Sequence, residues 1–213
     1  METQPATLRA TYKRLFSRKF RFQSTGGEFL DRLDEITYLL MLRDAEPGLG
    51  SEIHHAILSG LETLKDLSFY LRDFILQLEI DRAEFNFLKT VLQHQEKIVK
   101  VCEFDYVIAY EWSTDLFDPK TQLINNHRGD LILMNDYGSF LVIELKYIRT
   151  INDFSGMMQR GTKIRQVRKQ TQKFLGFFQE RFPWANAEGL ALTNFGSFRP
   201  ESKIPIQKFK GVF

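Results

Sequence analysis

Three charges stand in strand segments otherwise built for burial. The stretch GDLILMNDYGSFLVIELKYI, residues 129–148, reads as two apolar strands around a turn, yet its strands carry Asp130, Glu144 and Lys146. The turn fixes how these meet. NDYGS suits a three-residue loop, Asp136-Tyr137-Gly138, with Gly138 in the left-handed position that follows a type I turn. Asn135 then faces Ser139, and counting outward sets Asp130 opposite Glu144. The two-residue period puts Glu144 and Lys146 on one face, about 6.5–7 Å apart. Leu141, Ile143 and Leu145 take the other. Opposed carboxylates repel, and partial burial strengthens the repulsion. A divalent cation between them resolves the conflict, because hard cations such as Mg²⁺ or Mn²⁺ take a few carboxylates plus waters and phosphate oxygens. Lys146 beside such a cation can orient or help deprotonate an attacking water and stabilise charge on a phosphate. A plainer reading stands next to this one: Glu144 and Lys146 form a local salt bridge and Asp130 lies in solvent. A register slip of one residue would turn Asp130 to the other face.

The segment after the hairpin favours a polyanion. QRGTKIRQVRKQTQKFLGFFQ carries Arg160, Lys163, Arg165, Arg168, Lys169 and Lys173, with no acid between Asp153 and Glu180. Such a field attracts backbone phosphates. Gln166 and Gln170 are four apart and share a helical face, where an amide could position a phosphate or water. The alternative is a solvated basic face over a core of Ile164, Val167, Phe174 and Phe178.

The elements that must position these residues follow from periodicity. Residues 28–100 are helical in pattern, with a stripe at Phe29, Leu33, Ile36 and Leu40. AEPGLG, residues 45–50, breaks it, and Ser51 can cap a second helix carrying Leu61, Leu64, Leu67, Leu71, Phe74 and Leu78. Asp81 is the expected N-cap of a third, bearing Phe85, Leu88, Leu92 and Val99. CEFDYVIAYEW, residues 102–112, then reads as a strand. A polar stretch from Ser113 to Arg128 precedes the hairpin; its length marks it as functional or disordered. A helix over 159–181 and a strand at GLALTN, residues 189–194, complete the order helix, strand, strand, strand, helix, strand. The tail after Phe195 is expected to be irregular and basic. Residues 1–80 read as a helical extension, 81–213 as a mixed helix–strand core with a basic tail, and the absence of a glycine- or serine-rich linker implies one shared core.

Composition narrows the classes. The 213 residues carry 43% hydrophobic and 26% charged side chains, a soluble globular balance, and 20 phenylalanines imply an aromatic core. The single cysteine, Cys102, excludes an internal disulfide, a cysteine-rich zinc site and a four-cysteine cluster, and is compatible with an intracellular, reducing setting in cytoplasm or nucleus. No apolar run reaches the ~18–20 residues of a membrane span. Six basic residues and no acid lie between Glu2 and Glu28, a pattern shared by organelle import segments, nucleic-acid-contacting arms and solvated terminal helices.

Together, GDLIL with Asp130 and IELK with Glu144 and Lys146 resemble the PD-(D/E)XK nuclease superfamily, whose signature is an aspartate opening one strand and Glu-x-Lys in the next within α-β-β-β-α-β. The resemblance covers residues 81–194, with Gly129 where the superfamily name has proline. It implies a restriction-endonuclease-like α/β fold with a mixed sheet and a Mg²⁺- or Mn²⁺-dependent nuclease acting on DNA. QTQKF, residues 170–174, is similar to a motif of the RecB-type branch, with phenylalanine for the usual tyrosine, and GSEIH, residues 50–54, to that branch's histidine motif. AEFNFL resembles the helix start of archaeal Holliday-junction resolvases, which often pair as homodimers. The resemblance thus implies Asp130, Glu144 and the Leu145 carbonyl around the metal, Lys146 at the water and Gln170 assisting. Glu84 is preferred to Glu96 as an added ligand, since a helix antiparallel to the first strand brings its start nearest Asp130; His54 is a further candidate, with a plain surface helix as its rival reading. Asp81 and Glu84 as a capping box is the rival for that glutamate. Arg165, Arg168, Lys169 and Lys173 would meet phosphates, and His127 in the long loop could touch substrate. Two other functions remain open: a nuclease-like domain that binds nucleic acid or a protein without cutting, and a helical scaffold with an incidental salt-bridged hairpin. The N-terminal helices could seat a helicase or repair partner.

Overall fold

The computed structural model describes residues 27–45, 47–95, 104–113, 128–149, 154–203 and 205–209. Helices α1 (Gly27–Ala45) and α2 (Gly50–Gln77) flank a 3₁₀ turn at Pro47–Leu49, and α3 (Ala83–Gln93) follows. Strands β1 (Tyr106–Ser113), β2 (Arg128–Met134) and β3 (Phe140–Lys146) come next. Helix α4 (Phe154–Arg181) leads to β4 (Ala187–Thr193), β5 (Gly196–Phe198) and β6 (Gln207–Lys208). The order from α3 to β4 is the one expected. The strands form one mixed sheet in sequence order, with β3 and β4 parallel and every other pair antiparallel. The crossover between β3 and β4 is α4, as a parallel pair requires.

The hairpin turn adopts the expected geometry. Gly138 has φ +74, and the Asn135 N–H donates to the Ser139 carbonyl at 3.0 Å. The Asn135 Oδ1 accepts from the Tyr137 and Ser139 N–H groups. Pairing runs from Met134–Phe140 to Leu131–Ile143, so the strand register is the predicted one.

Both faces of the sheet are covered. Leu131, Leu133, Leu141, Ile143 and Leu145 pack with Phe85, Leu88, Val91 and Leu92 of α3 and with Leu71 and Ile75 of α2. On the other face Ile132, Met134, Phe140 and Val142 meet Phe174, Phe178 and Phe182 around Trp112. These aromatic rings contact one another edge-on or tilted, at centroid separations such as 5.1 Å for Phe178–Phe182 and 5.5 Å for Trp112–Phe174. Burial of each such ring contributes about 2–3 kcal/mol. Leu33 and Ile36 of α1 and Leu64 of α2 belong to the same cluster, so the N-terminal helices share the core. An Arg181–Asp34 ion pair and a 2.7 Å hydrogen bond from Trp184 Nε1 to Thr37 Oγ1 tie α1 to the end of α4.

Several local expectations are corrected. The residue before α2 is Leu49 and that before α3 is Arg82, neither with a side-chain cap bond. Ser51 and Asp81 therefore cap nothing, and no Asp81–Glu84 capping box forms. Phe74 is exposed while its neighbour Ile75 is buried. Helix α4 starts five residues earlier than predicted. The tail adds two strands, because β5 folds back on β4 and β6 on β5. Glu96, Val99, Cys102, His127, most of the long loop and the basic N-terminus lie outside the described residues.

Candidate active site

The site lies where β2 and β3 part. Their mutual pairing stops at Leu131–Ile143, although both strands continue. Gly129 and Arg128 stay paired to β1, and Glu144, Leu145 and Lys146 stay paired to β4. The two strands thus open into a fork with Asp130 and Glu144 at its base.

Side chains replace the missing ladder. The Leu145 N–H donates to Asp130 Oδ2 at 2.6 Å, and the Asp130 N–H donates to Glu144 Oε1 at 3.0 Å. Each carboxylate is therefore anchored on the other's strand. Glu144 is buried at 4% exposure. Burial pushes both carboxyls above their usual range. For Glu144 the charge of Asp130 adds to that effect; for Asp130 the Leu145 N–H and the Lys146 charge oppose it, while Glu84 and Glu111 reinforce it. Two acids that resist ionising at one point form a site short of positive charge.

Lys146 does not supply that charge to Glu144. Its ammonium pairs with Glu84, from the first turn of α3. The plain Glu144–Lys146 salt bridge is thus absent, and Asp130 is not left in solvent. Glu84 is free for this role because it makes no cap bond, and its position in the first turn is the one the antiparallel helix argument required.

Beside the fork, a cleft of about 140 Å³ is lined by Arg82, Glu84, Tyr110, Glu111, Asp130 and Leu145, among others. A larger one of about 420 Å³ adjoins it, with Arg82, Glu84, Lys146, Arg149 and Lys163 in its walls. Of the helix residues expected to meet phosphate, none lines either cleft. Arg165, Lys169, Lys173 and Gln170 are exposed along α4, Lys173 lying over the Phe177 ring, and Arg168 is half-buried. His54 is exposed near the start of α2 and lines neither cleft. Sequence reasoning missed Arg82 and Arg149, which lie outside the regular elements, and named Lys163 only as part of the basic helix; the three line one cleft only through the tertiary fold.

It also missed Glu111. Between the pairs Tyr110–Leu131 and Trp112–Gly129, Glu111 falls opposite Asp130. Its φ is +47, the left-handed region that non-glycine residues rarely occupy. That kink inverts the alternation: Tyr110 packs against the α3 side and Trp112, two residues on, against the α4 side. Glu111 accepts a 3.2 Å hydrogen bond from the Tyr110 hydroxyl, whose own pKa burial raises. No local signal in YEWS announces this conformation.

The donor set fits a hard cation. Asp130 and Glu144 offer carboxylate oxygens only, and Mg²⁺ typically keeps several waters and takes one or two protein carboxylates. Among the described residues no group of three or more His, Cys, Asp or Glu is placed as a ready-made cage. The Leu145 N–H is committed to Asp130, so the backbone here holds the carboxylate in place. No described helix is long and apolar enough to cross a membrane. No family model, curated protein or solved structure matches the chain.

Proposed function

We propose that this protein is a metal-dependent nuclease of the PD-(D/E)XK type, hydrolysing phosphodiester bonds in nucleic acid, with DNA as the first substrate to test. One observation carries the reading: Asp130, half-buried, and Glu144, buried, meet at the base of an open fork, with Lys146 and Glu84 at its rim. The mixed sheet, with an antiparallel β1–β3 meander and β4 parallel to β3, supports the restriction-endonuclease-like fold that the resemblance implies.

In this reading Asp130 and Glu144 hold Mg²⁺ or Mn²⁺, which supplies Lewis-acid polarisation of a phosphoryl oxygen. The Leu145 and Asp130 N–H groups fix both carboxylates before substrate arrives, so little reorganisation is needed. Lys146 is held at the rim by Glu84; exchanging that partner for a phosphate oxygen or a water brings its ammonium to the reacting group. Arg82, Arg149 and Lys163 line the adjoining cleft and attract the flanking phosphates. Arg165, Lys169 and Lys173 lie farther out on α4 and act on approach rather than on chemistry.

The Glu84–Lys146 pair also favours a second reading, a nuclease-like domain that binds nucleic acid or a protein without cutting, because the ammonium is engaged away from the carboxylates. The test is cleavage of labelled duplex, branched and single-stranded DNA with Mg²⁺, Mn²⁺ or EDTA. The enzyme reading expects metal-dependent cleavage that falls at least about 100-fold in Lys146→Ala with binding retained. Metal-insensitive binding with no cleavage of any substrate would establish the binder instead.

A further inference from the structure

The carboxylates of the fork work only if the Asp130 main chain is held still, and the structure contains a specific hold. Trp112 is fully buried, packed against Phe174 and Phe178 of α4, and lies directly across the ladder from Gly129. A Cβ built on Gly129 would come closer than 3.0 Å to the indole atoms Cε2, Nε1 and Cζ2. No L side chain fits there without displacing either the ring or the strand. Gly129 is therefore required by the indole rather than by its own backbone, since it is not among the positive-φ glycines. The ring is under that residue only because the left-handed turn at Glu111 rotates Trp112 onto the α4 face.

We infer that Trp112 is a positioning residue for Asp130: its indole, seated on Gly129 and clamped by α4, fixes the strand immediately before the carboxylate. Without the ring, β2 can relax towards the vacated space. With a side chain at Gly129, β2 is pushed off the ring. In both cases the Asp130 oxygen leaves the Leu145 N–H, and the two carboxylates no longer share the base of the fork. A strained residue beside a reactive group is a recurrent device for aiming a side chain. Here Glu111 bears the strain, Trp112 transmits it, and Asp130 is the group aimed. The functional part of this inference rests on reading Asp130 as a metal ligand; the geometric part does not.

Trp112→Phe, Gly129→Ala and the double variant of the full chain test it, with two readouts at temperatures well below unfolding. The first is Mn²⁺ affinity by calorimetry. Each single variant is expected to weaken it by about 10-fold or more, the scale on which residues supporting metal ligands act. The double variant, in which the smaller ring makes room for the new methyl group, is expected to recover most of the loss. The second readout is amide hydrogen exchange in metal-free protein. Protection of the Leu145 and Asp130 N–H groups is expected to fall in each single variant and return in the double, while the paired region from Leu131 to Ile143 stays protected. A merely structural role lowers the unfolding temperature without this local pattern or its rescue. Single variants that keep Mn²⁺ affinity within about twofold, or a double variant no better than Gly129→Ala, overturn the inference. If wild type binds no Mn²⁺, the nuclease reading fails and the exchange pattern alone decides the positioning claim. If Gly129→Ala does not fold, Trp112→Phe carries both measurements, and unchanged protection at Leu145 overturns the claim.

Discussion

The two ends of the β2–β3 hairpin solve the same backbone problem in opposite ways. At the turn, main-chain groups satisfy one another, Asn135 caps the loop, and both faces are apolar. At the fork, the ladder is given up and the N–H groups of Asp130 and Leu145 are satisfied by carboxylates. The turn end reads as stability. The fork end places a buried and a half-buried acid where apolar groups would pack with less cost, an arrangement that stability does not require and that the proposed cation site would explain.

Glu144→Gln gives the largest contrast. Cleavage is expected to fall at least about 100-fold, because the anionic oxygen facing Asp130 is gone. Stability should move the other way. The folded-state pKa of Glu144 lies above its unfolded value, so the stability this group contributes is fully present below its unfolded value and is lost as pH rises through the folded value. The glutamine has no charge to bury and can still accept from the Asp130 N–H. Metal-free Glu144→Gln should therefore match or fall below wild type at about pH 4 and exceed it at about pH 8 in thermal melts. A variant less stable at both would mean that the fork is an ordinary structural network.

At the other end, Gly138→Ala should do the reverse. A Cβ in the left-handed region costs about 1–2 kcal/mol, and here it also presses on Leu61 at 3.3 Å. The melting temperature should drop by about 2–4 °C for each kcal/mol lost, with metal-dependent cleavage unchanged. Loss of activity would show that the two ends are not independent.

The smallest effect separates the cleft from the outer helix. Lys163→Ala should reduce the salt dependence of DNA binding by close to one phosphate contact, a change in slope of about 0.9. Lys169→Ala, farther out on α4, should change it less. Equal effects would enlarge the binding face to include the exposed side of α4.

Much of this was legible because it is local. The NDYGS turn sets the hairpin register by its loop length, and that register brings Asp130 and Glu144 together. Phe174, Phe178 and Val167 were readable as core from their helical spacing. The family resemblance offered Glu84 and Glu96, and chain direction favoured Glu84, which the structure places beside Lys146. The helix starts were misread because Leu49 and Arg82 occupy the cap positions and neither makes a side-chain cap bond, so the polar residues beside them gave a false signal. Phe74 and Ile75 differ by one position on the wheel, and only the sheet decides which of them is buried.

By itself the sequence determined the pairing of β2 with β3 and the opposition of two acids, because a tight turn counts residues. It could not determine that the strands part at those acids, that Lys146 pairs with Glu84, or that Arg82, Arg149 and Lys163 surround one cleft. Nor could it place Trp112 on Gly129. Each of these depends on distant elements packed in three dimensions, where the twist at Glu111 and the press of α4 choose among conformations that the local sequence leaves close in energy.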